Sequence, residues 1–211
     1  MRILVTAGPT REHIDDVRFI TNASSGRMGF AVAAAAVAAR HEVTLLAGPV
    51  ALPPPAGCRV LRFVSVDDLK ALLDEQFPLC DALVMAAAVG DFRVEGRRAG
   101  KIPRAAGPVT VRLTPTEDLL AHLRSRKRPG QLVAAFAVEG APREQAEAKA
   151  RAELAAKGAD CVVVNAPAAM GAADSEACIL SRDETVIAWK TRTKASLAQE
   201  IVNLLAAWSL Q

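Results

Sequence analysis

Three observations on the 211-residue chain predict an α/β fold built on a doubly wound, mostly parallel sheet. Short β-branched runs alternate with helical stretches along its whole length. The run Asp81–Val89 is apolar almost throughout, as a central parallel strand must be when both its faces are covered. Near the end, two further strand-like runs lie close enough to form an added β-hairpin. Hydrophobic residues make up 51% and charged residues 23%, which suits a packed core and excludes global disorder. The length fits a single domain over residues 1–211.

The elements follow in order. Arg2–Thr6 is a buried strand. Ala7–Ser25 is a long polar connection without a clear period. Ordinary βα loops have about 2–6 residues, so a connection this long is expected to be functional. Gly26–Arg40 is a helix of small, good helix formers suited to close packing on a sheet. Glu42–Leu46 and Arg59–Val64 are the next strands, separated by a Pro-rich loop. Ser65–Phe77 is a helix opened by a capping box, Ser65 with Asp68. After the strand Asp81–Val89 comes a second long polar loop, Gly90–Pro108. Val109–Leu113 is then a short strand and Pro115–Arg126 a helix with Glu117 and Asp118 in its first turn. Gln131–Val138 is a strand and Pro142–Lys157 a charged helix stopped by Gly158. Asp160–Asn165 is a strand. The runs Ala177–Ser181 and Thr185–Trp189 pair as the hairpin, and Thr193–Leu210 is an amphipathic helix.

Composition narrows the function. The formal net charge is +3, from 26 Lys+Arg against 23 Asp+Glu. That suits small anionic ligands and is too weak a signal for nucleic acid. With six Phe, two Trp and no Tyr, a base-stacking platform is not expected. The four cysteines are far apart and form no C-x-x-C pair. No acidic cluster has the spacing of a metal cage, so no protein metal ligands are expected. The three histidines are scattered and suggest no triad. No cleavable leader and no run of 18 apolar residues is seen. The expectation is a soluble, cytoplasmic protein with reduced thiols and no membrane partner.

The two long loops follow strands, where ligands bind in open α/β sheets. The first holds Gly8-Pro9-Thr10-Arg11 and then Arg18 to Gly29. Its Ser24, Ser25 and Gly26 lead into a helix start, a place where N–H groups and hydroxyls can hold an anion. The plainer reading makes Ser25 an N-cap and Gly29 a packing glycine. Neither the dinucleotide G-x-G-x-x-G nor a P-loop is present. The second loop carries Arg93, Arg97, Arg98, Lys101 and Arg104 against Glu95. It is either a polyphosphate clamp or a solvated flap.

At these loops the chain resembles a known family. VTAGPTREHIDDVRFITNASSGRMG is similar to the opening motif of the phosphopantothenoylcysteine synthetases (phosphopantothenate–cysteine ligases). AAAVGDFRV followed by GKIP resembles the second motif of that family, AFAVEG a later segment and DCVVVNA its following strand. The resemblance is colinear over nearly the whole chain. It implies a Rossmann-like sheet and a two-step ligation. The carboxylate of 4′-phosphopantothenate attacks the α-phosphate of a nucleoside triphosphate and releases pyrophosphate. The amine of cysteine then displaces the nucleotide. Members of the family are homodimers with sites near the subunit interface. Bacterial members use CTP and eukaryotic ones ATP, carried with Mg²⁺; CTP is expected here. In many bacteria the domain is fused to a decarboxylase, and this chain resembles a free-standing ligase.

Carried over residue by residue, the resemblance makes Asn22, Lys101 and Arg18 catalytic. Asn22 would stabilise the oxyanion of amine attack, Lys101 would hold the triphosphate, and Arg18 would pair with a substrate anion. Nucleotide contacts fall on Gly8, Ser24, Ser25, Gly26, Ala87, Asp91, Lys101, Thr116, Glu117, Asp118, Leu119, Phe136 and Lys157. The chain also departs from the family. Its loop reads Lys101-Ile102-Pro103-Arg104, losing one amine to Pro103. Ala166 follows Asn165 where an Asp is usual. Glu153 stands where relatives carry a Lys, with Lys149 one turn earlier as a candidate substitute. Two other functions fit the architecture: an NAD(P)-dependent oxidoreductase, which the missing fingerprint and missing Tyr disfavour, and a non-catalytic dimer subunit, motivated by Glu153 and Ala166.

Overall fold

The computed structural model describes residues 1–167, 172 and 174–210. Its main sheet has eight strands. Six are parallel: β1 (Arg2–Ala7), β4 (Glu42–Ala47), β5 (Arg59–Arg62), β6 (Ala82–Met85), β9 (Leu132–Val138) and β10 (Cys161–Asn165). Two antiparallel strands extend one edge, β11 (Asp174–Ser181) and β12 (Thr185–Thr193). The spatial order is β12-β11-β10-β9-β6-β1-β4-β5. Counting only the parallel strands, this is the dinucleotide-fold order, and it reverses between β1 and β6.

Strand alternation divides the core in two. On one face Leu4, Leu46 and Leu83 pack under α2 (Val66–Gln76), α3 (Leu119–Arg124) and α4 (Arg143–Lys157). On the other Ile3, Val5 and Leu45 pack under α1 (Arg27–Ala38) and α5 (Lys194–Trp208). The capping box of α2 forms as expected, with Ser65 and Asp68 bonded reciprocally. Gly158 closes α4.

Close approach explains one glycine. A Cβ on Gly29 would lie 2.5 Å from the Ala7 Cβ and 2.7 Å from the Thr6 carbonyl oxygen. Gly29 therefore lets α1 lie directly on β1, which fixes the start of the helix against the end of the strand. Gly29→Ala is expected to cost roughly 1–3 kcal/mol through overpacking. Urea unfolding checks this; an unchanged midpoint would show that the contact is soft.

Several expected boundaries are corrected. Val109–Leu113 is not a strand. The strand is β8 (Leu113–Pro115), which pairs antiparallel with β7 (Phe92–Val94). Pro115 therefore belongs to a strand. The helix opens at Leu119, capped by Asp118, whose carboxylate accepts from the N–H groups of Leu120 and Ala121. Glu117 lies outside it. The first long loop also contains a ribbon, β2 (Arg11–His13) with β3 (Phe19–Thr21). The central strand stops at Met85, because the Ala87 N–H turns to the Thr6 hydroxyl at 3.0 Å. Ser25 is not the cap of α1. Gly26 is, in the left-handed region at φ 75°, which a glycine adopts without strain.

All four cysteines are free, and Cys80, Cys161 and Cys178 are buried. Burial pushes their thiols up to about 11, 12 and 12 respectively. Burial also raises Cys58. Among the described residues no helix is long and apolar enough to cross a membrane.

Candidate active site

The reversal of strand order leaves a crevice beyond the ends of β1 and β6. Hydrogen bonds stitch its walls together. The Ala88 N–H donates to the Gly8 carbonyl at 3.0 Å, and the Thr10 N–H to the Ala88 carbonyl at 3.2 Å. The Gly90 N–H donates to the Thr10 hydroxyl at 2.9 Å. The Thr116 hydroxyl donates to the Gly90 carbonyl at 2.7 Å. Asn22 completes the seam: its amide nitrogen donates to the Val89 carbonyl at 2.9 Å. Asn22 reaches the crevice because β3 ends at Thr21, whose hydroxyl is tied to the Thr10 carbonyl at 2.7 Å.

The resulting cleft holds about 890 Å³. Of the residues expected from the sequence, Asn22, Ser24, Ser25, Gly26, Ala87, Asp91, Thr116, Glu117, Asp118, Leu119, Phe136 and Lys157 line it. Gly8 lies behind this wall, bonded to Ala88. The first N–H groups of α1 have no side-chain cap, and the Gly26 N–H donates to the Ser24 hydroxyl at 3.3 Å. The positive end of α1 thus opens into the cleft, the arrangement that suits a phosphate.

The opposite wall is charged. Lys157 pairs with Glu153 at 3.1 Å and Asp118 at 3.5 Å. Burial alone would lower the Lys157 amine, but these two carboxylates outweigh it and hold its pKa above the ordinary value. Glu153 therefore takes part in the wall as the partner of Lys157. Lys149 does not take the place of the missing Lys: it pairs with Glu139 at 2.8 Å and stands outside the cleft lining. Glu117 is held by His122 at 3.1 Å and by Lys70 at 3.7 Å.

Other cleft residues escaped the sequence reading. Arg27, Ser175, Asn165 and Lys194 line the cleft. The side-chain oxygen of Asn165 is buried and has no hydrogen-bond partner among the described residues. Burial, then the nearby Arg27, lowers the Lys194 amine. The sequence signals for Asn165 are its place in the family-like DCVVVNA segment and at the C-terminal end of a parallel strand. Ser175 and Lys194 come from the added hairpin and the last helix, which no local pattern ties to the crevice.

Arg18 and Lys101 do not line the cleft of their own chain. Arg18 is engaged within the protein. Its guanidinium pairs with the fully buried Asp15 at 3.0 Å and donates to the Ile102 carbonyl at 3.2 Å. Its guanidinium is thus partly engaged within its own chain while its side chain stays about half-exposed. Lys101, the residue just before Ile102, is exposed. Around both residues the ribbons expose Val17, Phe19, Ile20, Phe92 and Leu113. Among the described residues no group of three His, Cys, Asp or Glu side chains could hold a metal ion.

Comparison with known proteins agrees with this architecture. Residues 1–208 match the model of a family described as the DNA/pantothenate metabolism flavoprotein C-terminal domain. The chain is 37% identical over 206 residues to a cysteine/cysteine sulfinic acid decarboxylase of an unknown prokaryotic organism, covering 95% of this chain and 56% of that one. It is 38% identical over 218 residues to the coenzyme A biosynthesis bifunctional protein CoaBC of Mycobacterium bovis, covering 98% of this chain and 52% of that one. The chain thus spans about half the length of the curated relatives it matches. A crystal structure of the C-terminal domain of a CoaBC protein superposes with a TM-score of 0.83 at 32% identity, covering 100% of this chain and 96% of that chain.

Proposed function

Because the chain belongs to the DNA/pantothenate metabolism flavoprotein C-terminal domain family, we propose that it ligates 4′-phosphopantothenate to cysteine in coenzyme A biosynthesis. The observation that carries this reading is the cleft at the strand reversal. One crevice gathers Asn22, the open start of α1 and the Asp91 and Glu117–Leu119 walls. The reaction uses a nucleoside triphosphate, with CTP preferred over ATP, and passes through an acyl-nucleotide.

The residues divide the work. The N–H groups at the start of α1, with Ser24 and Ser25, receive phosphate oxygens. Phe136 offers an apolar surface to the base, and Asp91 accepts bonds from ribose hydroxyl or base amino groups. Asn22 donates to the oxyanion that forms when the cysteine amine attacks. Its amide already points along the seam between the two loops, toward the Val89 carbonyl. Mg²⁺ arrives on the triphosphate, which supplies most of its ligands. Arg18 and Lys101 stand outside the cleft of their own chain. With the exposed apolar ribbons around them, this favours a homodimer in which the ribbon of one copy meets the cleft of its partner. Lys101 then closes on the triphosphate from the neighbouring subunit.

The test is pyrophosphate release with 4′-phosphopantothenate, cysteine and each of the four nucleotides in turn, with and without chelator. Nucleoside monophosphate and pyrophosphate are the expected products, CTP the fastest donor, and chelator stops turnover. Nucleoside diphosphate and phosphate as products would replace the acyl-nucleotide by an acyl-phosphate.

A further inference from the structure

Asp15 and Asp16 occupy the turn between β2 and β3, and neither lines the cleft. Their oxygens face a distant part of the chain. One Asp15 oxygen accepts from the N–H groups of Val17 and Arg18 at 2.8 and 2.7 Å, which closes the turn. The other accepts from the Ile102 N–H at 3.1 Å and from the Arg18 guanidinium at 3.0 Å. Asp16 accepts from the Gly100 N–H at 2.8 Å and from Arg97 at 3.1 Å. The Arg98 N–H donates to the Ile14 carbonyl at 3.0 Å. Three alternate backbone N–H groups, at 98, 100 and 102, are thus spent on one turn, and Ile102 is buried behind them. Burial pushes the Asp15 carboxyl up. The N–H donors Val17, Ile102 and Arg18 outweigh it and hold Asp15 below the ordinary carboxylate range. Asp16 is held low too, by the Gly100 N–H first and then Arg97.

The exposed pair Asp16 with Arg97 alone would hold little, since solvent screens such surface ion pairs. The backbone bonds differ in kind, because they fix a path of the chain. The segment they fix carries Lys101 between two bound residues, Gly100 and Ile102. The same turn leads through β3 to Asn22.

We propose that Asp15 and Asp16 form a carboxylate clip that positions Lys101 by docking residues 97–102 on the β2–β3 turn. The Lys101 segment is thereby tied to a ribbon whose second strand ends just before Asn22, 79 positions earlier in the chain than Lys101. The clip leaves the Lys101 ammonium exposed while immobilising the backbone on either side, which lowers the ordering that ligand binding must impose. This inference rests on the reading of Lys101 as a triphosphate-binding group.

The experiment uses the full chain and three variants, Asp16→Ala, Asp16→Asn and Asp15→Asn. Asp16 is half-exposed, so its variants keep the fold even if the Asp15 variant does not. The first readout is amide hydrogen exchange at residues 98–102, which needs no activity. The second is single-turnover formation of acyl-nucleotide without cysteine, compared with transfer of supplied acyl-nucleotide to cysteine. Asp16→Ala is expected to expose the Gly100 amide to exchange. It is expected to raise the KM for nucleotide and to slow acyl-nucleotide formation roughly 10–10²-fold, the scale of a small misplacement. The cysteine step stays at the parental rate. Asp16→Asn recovers most of the loss, because its amide oxygen still accepts from Gly100. Unchanged exchange, parental acyl-nucleotide formation, or equal loss of both half-reactions would overturn the clip. A parental chain that forms no acyl-nucleotide would overturn the ligase reading instead, with the exchange result still deciding whether the clip exists.

Discussion

Lys101→Ala is expected to abolish acyl-nucleotide formation, a loss on the order of 10³-fold or about 4 kcal/mol, with no intermediate trapped. The two half-reactions need different things. In the first a carboxylate approaches a triphosphate, so positive charge must stand where pyrophosphate leaves. In the second a neutral amine attacks an acyl-nucleotide after pyrophosphate has formed. Lys101→Gln should fail similarly, because it keeps length and loses charge. Arg104 does not replace it, since a planar guanidinium is not equivalent to an ammonium. A mere surface lysine would change the rate by less than about twofold. Single-turnover assays with labelled nucleotide, omitting cysteine, separate these outcomes. Because Lys101 lies outside its own cleft, mixed dimers give a second reading. Random mixing of Lys101→Ala and Asn22→Ala chains should restore roughly a quarter of parental activity. Half of such dimers are mixed, and one of their two sites is whole. No recovery would assign Lys101 to the cleft of its own subunit.

Asn22→Ala should show the reverse asymmetry. Acyl-nucleotide forms and accumulates, and its transfer to cysteine slows on the order of 10²–10³-fold, as when one oxyanion donor is removed. Asn22 is exposed and its amide bonds only a backbone carbonyl, so the variant keeps the fold. Product analysis by mass spectrometry checks the build-up. A parental overall rate would remove Asn22 from the mechanism.

Much of this fold is legible in the sequence. The strands β1, β6, β9 and β10 are largely apolar runs, and burial on both faces is a property each run carries by itself. The α2 capping box is equally local. The ribbons were not legible, because three-residue strands such as Phe19–Thr21 have no period and exist only by docking on one another. The start of α3 departs from the local pattern for a related reason. Pro115 looks like a helix opener, but pairing with Phe92 holds it in a strand and leaves capping to Asp118. At the site, the motif residues around Asn22 and Asp91 fall together because the strand order brings their loops together. The contacts of Arg18 with Asp15 and Ile102 are tertiary, and no spacing in the chain announces them.

The buried thiols bear on the oxidation chemistry of the reaction mixture. Burial holds Cys80, Cys161 and Cys178 well above the ordinary thiol range, so at neutral pH they are overwhelmingly in the thiol form. Exchange with a disulfide begins from a thiolate. Under the ligase reading proposed above, the chain works beside cystine, the oxidised dimer of its cysteine substrate. Cystine then meets almost no thiolate at Cys80, Cys161 or Cys178, and these core cysteines escape being capped by an oxidised form of the proposed substrate.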